Sequence, residues 1–318
     1  MRLKEFYEII IESGIKADPR GRNAVLKELE KRKVKYQELK PDEKETFDIE
    51  SLRNPYADTR ILNGTGEEEV KKILVGIDME IGEVLLADRL VSKGHAIDLI
   101  ASHHPEGRAY ANFYEVMHMQ ADILNRVGVP INIAEDLLEG RIKEVERKVS
   151  PVNHTRGVDA ARLLGFPFMC MHTPSDNMVA NYLHRLFNEK GPDTLDDIIK
   201  ILKEIPEYQE ATKNNAGPKF LIGSKDRRAG KIFVDMTGGT EGSKDIFESL
   251  ANSGVSTIVA MHLSEEHRKE AEKNHINVVI AGHISSDNLG MNLLLDEVER
   301  VKPLDIIPCS GFRRFKRV

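Results

Sequence analysis

Cysteine and tryptophan are nearly missing from this sequence of 318 residues, which contains two cysteines, Cys170 and Cys309, and no tryptophan. Two thiols are too few for a disulfide framework or a four-thiolate zinc site, so any metal must be held by nitrogen and oxygen ligands. Aromatic residues make up only 6% of the chain. This scarcity argues against the aromatic and basic surface on which single-stranded nucleic acids stack.

Long hydrophobic runs and a dominant charge are also missing. No stretch approaches the roughly 20 apolar residues that cross a bilayer, and the opening residues, MRLKE, do not resemble a signal peptide. With 46 basic and 52 acidic residues, the net charge is −6. We therefore expect a cytoplasmic protein with neither a membrane nor a nucleic acid as its partner.

The distribution of apolar residues predicts an α/β fold preceded by a helical segment. Residues 1–68 are rich in Lys, Glu and Leu with apolar residues near helical spacing, which predicts a helical N-terminal extension. Beyond it, short apolar runs alternate with helix-like segments, the pattern of an α/β chain. Strands are predicted at 72–77, 97–102, 130–134, 167–171, 230–236, 256–261 and 276–281.

Two sequence matches at one spacing suggest a duplication. Lys72-Ile73-x-Val75 recurs as Lys231-Ile232-x-Val234, and Leu99-Ile100-Ala101-x-His103 recurs as Ile258-Val259-Ala260-x-His262, both 159 residues later. The apolar runs 129–134 and 276–281 form a third pair at a spacing of 147. The alternative is that any two strand-helix-strand units look alike. The predicted segments are a first lobe at 69–190, a connector at 191–225 and a second lobe at 226–318.

The segment Ser102-His103-His104-Pro105 follows a predicted strand. Pro105 keeps His104 out of helical geometry, so two adjacent imidazoles could lie on either side of one site where the strand ends. Such an arrangement would suit one metal ion each in a pair. An incidental pair of histidines is the simpler alternative for this motif alone.

A second motif changes that balance because it occurs twice. His172-Thr173-Pro174-Ser175-Asp176-Asn177 and His283-Ile284-Ser285-Ser286-Asp287-Asn288 share the pattern His-x-x-Ser-Asp-Asn, each between a predicted strand and a helix. Either Asp could simply cap its helix. However, the two copies together with the His-His pair supply four imidazoles and two carboxylates at strand ends, where ligand sites collect in α/β folds.

Imidazoles and carboxylates suit zinc, iron or manganese. Two such ions about 4 Å apart would lower the pKa of a bridging water and hold a phosphoryl or carbonyl oxygen, so metal-assisted hydrolysis is the predicted reaction class. The turn Thr237-Gly238-Gly239-Thr240 precedes a predicted helix and could approach an anionic group of the substrate. Tight-turn geometry alone would also explain its glycines.

These motifs together resemble the NIF-three-like family of dinuclear metal proteins, often described as type-two homologues of GTP cyclohydrolase I. The resemblance spans roughly residues 70–310. The family's His-His-Pro, His-Thr-x-x-Asp, Gly-Gly and Gly-His-x-x-Ser-Glu motifs match residues 103–105, 172–176, 238–239 and 282–287, with Asp287 in place of the family's Glu.

The resemblance implies two similar lobes with a pair of divalent metal ions between them, and a homo-oligomer, commonly a hexamer. The metal ligands that it implies are His103, His104, Asp176, His283 and Asp287. It makes His172 a residue near the site, supporting the metal or contacting substrate, rather than a direct ligand. Gly238, Gly239 and His262 are further candidates for contact with substrate.

Two functions remain open at this point. In the first, the metal pair activates water against a nucleotide or another phosphorylated, anionic small molecule, as a GTP cyclohydrolase-like or phosphoesterase-like enzyme would, and Glu106 or Glu135 accepts a proton. In the second, the chain is a metal-binding regulator or scaffold with no catalytic activity. We expect His118, His184, His267 and His275 to be structural, and the basic C-terminal tail to be solvated.

Overall fold

A computed structural model describes the whole chain, Met1–Val318. The strands are β1 (Thr59–Asn63), β2 (Lys72–Gly76), β3 (Leu99–Ser102), β4 (Phe168–Met171), β5 (Lys219–Ile222), β6 (Lys231–Asp235), β7 (Val255–Ala260), β8 (Asn277–Ile280) and β9 (Asp305–Pro308). The helices are α1 (Leu3–Ala17), α2 (Arg22–Glu38), α3 (Pro41–Thr46), α4 (Ile81–Ser92), α5 (Gly107–Ala111), α6 (Met119–Val127), α7 (Ile131–Val149), α8 (Arg156–Leu164), α9 (His172–Lys190), α10 (Leu195–Lys203), α11 (Pro206–Lys213), α12 (Ile246–Asn252), α13 (Glu265–Lys273) and α14 (His283–Val301). Short 3-10 helices occupy Ile49–Leu52 and Phe113–His118.

Two mixed sheets form the centre of the protein and confirm the predicted α/β class. The larger sheet has the strand order β1-β4-β3-β2-β9, and the smaller has the order β5-β8-β7-β6. In each sheet the first strand along the chain is antiparallel to its neighbour and the remaining pairs are parallel. No helix is both long and apolar enough to cross a membrane.

The two sheets are built alike, as a duplication would produce. β1 and β5 each form one edge of their sheet, and each has a register irregularity near its end. β4 and β8 are their partners, and each leads directly into a helix of 19 residues, α9 or α14. Although β9 lies in the predicted second lobe, it pairs with β2 of the larger sheet. β1, from the predicted extension, belongs to the same sheet, so the chain crosses between lobes.

The strand predicted at 130–134 is wrong, because this segment begins helix α7. Its buried residues Ala134, Leu138, Ile142 and Val145 follow a helical period, which becomes visible only when the pattern is read beyond the first few apolar residues. The pairing of the runs 129–134 and 276–281 as repeats is therefore wrong, because the first begins a helix and the second contains β8. The counterpart of β8 is β4, which places His172 and His283 at equivalent positions.

The long helices α9 and α14 pack against one another between the sheets, and α1 packs on both of them. Gly290 of α14 faces the backbone of Ser175 in α9, and a Cβ atom at this glycine would fall on the Ser175 carbonyl oxygen. On the other side of α9, a Cβ at Gly14 would lie 2.7 Å from the Pro174 side chain. Close approach of these three helices therefore requires glycine at both positions.

The C-terminal tail is folded onto α14 rather than solvated. Phe312 is fully buried, and the Arg314 guanidinium pairs with the carboxylates of Asp296 and Glu299. Arg317 reaches Glu207 of α11 at 2.6 Å. The basic residues of the tail thus neutralise buried acids, which the sequence pattern alone did not indicate.

Substitution of Gly290 tests whether the α9–α14 contact is as tight as described. We expect Gly290→Ala to lower the free energy of unfolding by about 1–3 kcal/mol, since the added methyl group must push the helices apart. Gly140→Ala is the control, because Gly140 is a helical glycine of α7 with open space around its Cβ position. That change should raise stability by about 0.5–1 kcal/mol. Equal effects in urea unfolding would contradict the close packing.

Candidate metal centre

Six potential metal ligands from three chain segments converge between the two sheets. His103 and His104 follow β3, His172 and Asp176 lie in the first turns of α9, and His283 and Asp287 lie in the first turns of α14. The structure therefore brings together all five ligands that the resemblance implies, and it adds His172 to the cluster. Each pair follows a strand whose carboxyl end points into the space between the lobes.

The His-His pair is held by its backbone. The amides of His103 and His104 donate to the carbonyls of Gly76 and Ile77, both at 3.0 Å, and the Ser102 hydroxyl donates to the His104 carbonyl at 2.8 Å. These bonds continue the pairing of β3 with β2 beyond the strand end. The two rings are consequently held 5.1 Å apart between their centroids.

The two His-x-x-Ser-Asp-Asn motifs start their helices rather than cap them. His172 and His283 are the first residues of α9 and α14, and the residues that precede them, Met171 and Gly282, form the caps without a side-chain hydrogen bond. Asp176 and Asp287 thus lie one turn into each helix, on the same face as the histidine four residues earlier. The capping alternative for these aspartates is wrong.

Asp287 lies at the centre of the cluster. One of its oxygens is 3.4 Å from His103 Nε2, and the other is 3.7 Å from His104 Nε2 and 3.5 Å from His283 Nε2. Asp176 extends the cluster, with its two oxygens 3.5 Å from His103 Nε2 and 3.7 Å from His172 Nε2. These separations are longer than good hydrogen bonds.

The buried oxygens of the cluster lack partners within the protein. Both oxygens of Asp287 and one of Asp176 are inaccessible to water and accept no hydrogen bond. Leaving buried carboxylates unpaired is costly, and bound cations remove that cost. Three groups of ligands, His103/His104/His172, His104/His283/Asp287 and His103/Asp176/Asp287, each have their atoms within 4.8 Å of one another, so the donor set fits a metal ion.

Burial acts in opposite directions on the histidine and carboxylate ligands. It lowers the pKa of His103 to about 4, so this imidazole is neutral and its nitrogen is available as a ligand. The pKa of Asp176 is raised well above its usual value by burial and by the neighbouring Asp287. Asp176 therefore resists ionisation beside Asp287, and positive charge at this point would favour its carboxylate form.

Two further aspartates orient two of the histidines through their Nδ1 atoms, on the side of each ring that faces away from the cluster. Asp58 accepts a hydrogen bond from His172 Nδ1 at 2.8 Å, and Asp78 accepts one from His104 Nδ1 at 2.6 Å. The bond with His104 lowers the pKa of Asp78, which keeps that carboxyl ionised. With Nδ1 occupied, Nε2 of each ring faces the cluster, as in many carboxylate–histidine–metal sites. Sequence reasoning missed both residues, although each lies next to a strand of the larger sheet.

The N-terminal extension contributes to the site instead of standing apart from it. Besides Asp58, it supplies Tyr56, whose hydroxyl donates to Asp18 at 2.9 Å and accepts from the Asn177 amide at 3.1 Å. Asn177 adjoins Asp176 and also accepts a bond from the Thr237 hydroxyl at 2.7 Å. A buried chain of hydrogen bonds therefore links the extension, α9 and the turn after β6.

A cavity of about 500 Å³ opens beside the cluster, between the lobes. Its wall includes four of the predicted contacts, namely His172, Gly239, His262 and Glu106. Burial and the charges of Glu80 and Asp78 raise the pKa of Glu106 to about 7. His262 Nδ1 lies 3.2 Å from Glu241, and its ring lies 4.9 Å from that of His283.

Other predicted residues lie elsewhere. Gly238 is not part of the cavity wall, and a Cβ atom there would meet Gln120, whose amide donates to the Gly238 carbonyl at 2.6 Å. Residues 241–245 separate the glycine turn from α12, so its amides are not those of the helix terminus. Glu135 is exposed on α7, away from the cavity. Of the histidines expected to be structural, His267 also lines the cavity, and both of its ring nitrogens form hydrogen bonds within the protein.

Comparison with solved structures finds the same architecture. A NIF3 superfamily protein from Sphaerobacter thermophilus is 26% identical, with a TM-score of 0.69, over 80% of this chain and 91% of that one. This similarity confirms the predicted resemblance to the NIF3-like family. The reduced form of HcgD from Methanocaldococcus jannaschii shares the fold, with a TM-score of 0.50 and 16% identity over 84% and 94% of the two chains. No family model and no curated protein matches the sequence.

In this NIF3-like chain, Asp58 offers a test of the metal centre that leaves the ligands themselves intact. We expect Asp58→Asn to weaken metal affinity by about 10–100-fold, because the amide no longer provides a charged acceptor for His172. Asp88→Asn, at an exposed position of α4, should leave the affinity unchanged. Metal competition titrations measure both, and equal affinities would show that Asp58 does not support the site.

Proposed function

We propose that the protein is a metal-dependent hydrolase with two divalent ions per chain, acting on a nucleotide or another phosphorylated small molecule. The observation that carries this proposal is the position of Asp287, whose two oxygens face separate groups of imidazole ligands beside a cavity large enough for a small molecule. A carboxylate placed in this way is suited to bridging two cations. The ions would be zinc, iron or manganese, given the nitrogen and oxygen donors.

The proposed ligands are the five residues that the sequence implied together with His172. Asp58 orients His172 so that its Nε2 faces the other ligands, which supports a direct role for this ring. Bound divalent ions would supply Lewis-acid activation of water and a clamp on the substrate oxygen that gains charge. The aspartate at position 287, where the family pattern has glutamate, lies within reach of His103 and His104 and of His283, one turn earlier in the same helix.

The cavity wall supplies the remaining roles. Glu106 adjoins the His-His-Pro segment and is placed to accept a proton from the attacking water. Arg156 is the single Lys or Arg residue of the wall and can contact an anionic group. His262, held by Glu241, can donate a hydrogen bond to the substrate from the opposite lobe.

Replacement of a ligand tests the metal site and the activity together. We expect His104→Ala to lower the metal content below two ions per chain and to reduce turnover by more than about 100-fold, since it removes a direct ligand. His184→Ala is the control, because His184 is exposed farther along α9. Mass spectrometry of protein purified without added metal, followed by a screen of nucleotides and phosphoesters, measures the two effects. Turnover that persists after metal is lost would disprove the hydrolase proposal.

The proton acceptor can be tested with the two glutamates that the sequence offered. Glu106→Gln should lower turnover by about 100-fold or more at unchanged metal content, because the amide cannot accept the proton. Glu135→Gln should have no effect, since Glu135 is exposed and outside the cavity. Loss of activity in the Glu135 variant alone would reverse this assignment.

A metal-binding regulator or scaffold is the second candidate. The positions of the proposed ligands favour this candidate, because they lie on α9 and α14, one helix from each half of the duplication. Ions bound between these helices would stabilise their contact. Two ions per chain without turnover of any tested compound would support this function. Cytoplasmic location and assembly into a homo-oligomer such as a hexamer stay predictions, and the molar mass in solution checks the second.

A further inference from the structure

The cavity has two chemically different halves. The half toward the larger sheet contains the metal ligands, Glu106 and Arg156. The wall that the smaller lobe supplies combines the polar side chains of Glu241, His262 and His267 with an apolar group, which is formed by Met236, Ile246, Phe247, Ile258, Ala260 and Leu263. We call this apolar group the apolar half. It includes none of the six potential metal ligands, so it can bind the part of a substrate that does not react.

One carboxyl group in the apolar half has no partner. Asp235 is the last residue of β6, beside Ala260 of β7, and it lines the cavity. Its carboxyl forms neither a hydrogen bond nor an ion pair, and burial raises its pKa to about 6. A side chain in this condition gains most from a ligand that brings hydrogen-bond donors.

The titratable groups whose charges act on Asp235, namely His262, His267 and Glu241, form hydrogen bonds with other partners. His267 uses both ring nitrogens, with the Ser264 hydroxyl at 2.6 Å and the Gly242 carbonyl at 3.0 Å. Glu241 accepts from the Ser264 amide at 2.6 Å and pairs with His262. Asp235 is also outside every group of three potential metal ligands, so its surroundings do not form a cation site.

We propose that the apolar half of the cavity is a subsite for a flat ring that presents two adjacent N–H donors, and that Asp235 recognises those donors. Apolar walls favour a planar ring, and a carboxylate accepts two parallel N–H bonds. An aminated heterocycle and an aromatic amidine both carry this donor pair. The subsite deepens the proposed function by defining the substrate's unreactive end, although binding there can be measured without turnover.

Matched ligand pairs test the donor requirement on the metal-loaded full-length protein. Guanosine carries an amino group next to a ring N–H, and inosine lacks that amino group. Benzamidine has a nitrogen donor at the position where benzamide has a carbonyl oxygen, which is an acceptor. Isothermal titration should show about tenfold or tighter binding of the donor-rich member of at least one pair. A preference for guanosine identifies a heterocycle as the source of the donors, and a preference for benzamidine identifies an amidine.

Variants assign that preference to Asp235. Asp235→Asn should abolish the difference within the pair, because its amide offers one acceptor and two donors where the ligand needs two acceptors. Asp245→Asn, at an exposed position before α12, should retain the difference. Both proteins should keep the metal content of the unaltered chain.

Three results would overturn the inference: equal binding within both pairs, a preference that survives in Asp235→Asn, or loss of metal from that variant. The last result would show that Asp235 holds an ion instead of a ring. None of these depends on turnover. A donor preference that requires Asp235, in a protein without hydrolytic activity, would reject the hydrolase proposal and retain the subsite. Hydrolytic activity without any donor preference would reject the subsite and retain the hydrolase proposal.

Discussion

The buried carboxylate of Asp287, with both oxygens lacking a hydrogen-bond partner, is the feature on which the arrangement of this protein depends. Three imidazoles approach it from two different segments, and none approaches closely enough to satisfy it. Burying a carboxylate without a hydrogen-bond partner costs free energy of folding, unless another interaction compensates for the lost hydration. The surrounding donors are nitrogen and carboxylate oxygen, so the cluster could hold a metal ion.

Duplication explains how the ligands reach Asp287. In each sheet, one strand leads into a long helix: β4 into α9 and β8 into α14. Each of these helices begins with a histidine and has an aspartate one turn later. Packing of α9 against α14 brings the two copies together, with Gly290 allowing the close approach. The two copies differ in one respect. His103 belongs to the cluster of potential metal ligands, whereas its repeat counterpart, His262, forms a hydrogen bond with Glu241 on the opposite cavity wall.

The N-terminal extension belongs to the same construction. α1 packs on the two long helices, β1 completes the larger sheet, and Asp58 just before β1 fixes the orientation of His172. Hydrogen bonds from Tyr56 through Asn177 continue to Thr237 beside the cavity. Changes in the extension can therefore alter the geometry of the metal centre without touching a ligand.

The sequence by itself determined the α/β class, most of the parallel strands and the ligand types, because period-2 and period-3.6 patterns and strand-end histidines are local properties of the chain. The helical period of Ala134, Leu138, Ile142 and Val145 was also present in the sequence, but the short apolar run 130–134 taken alone fits a strand as well. Only the tertiary structure decided which strands are neighbours, that β1 and β9 share a sheet, and that Asp58, Asp78 and Asp235 reach the site. Those placements depend on contacts between residues far apart in the chain, and no local pattern records them.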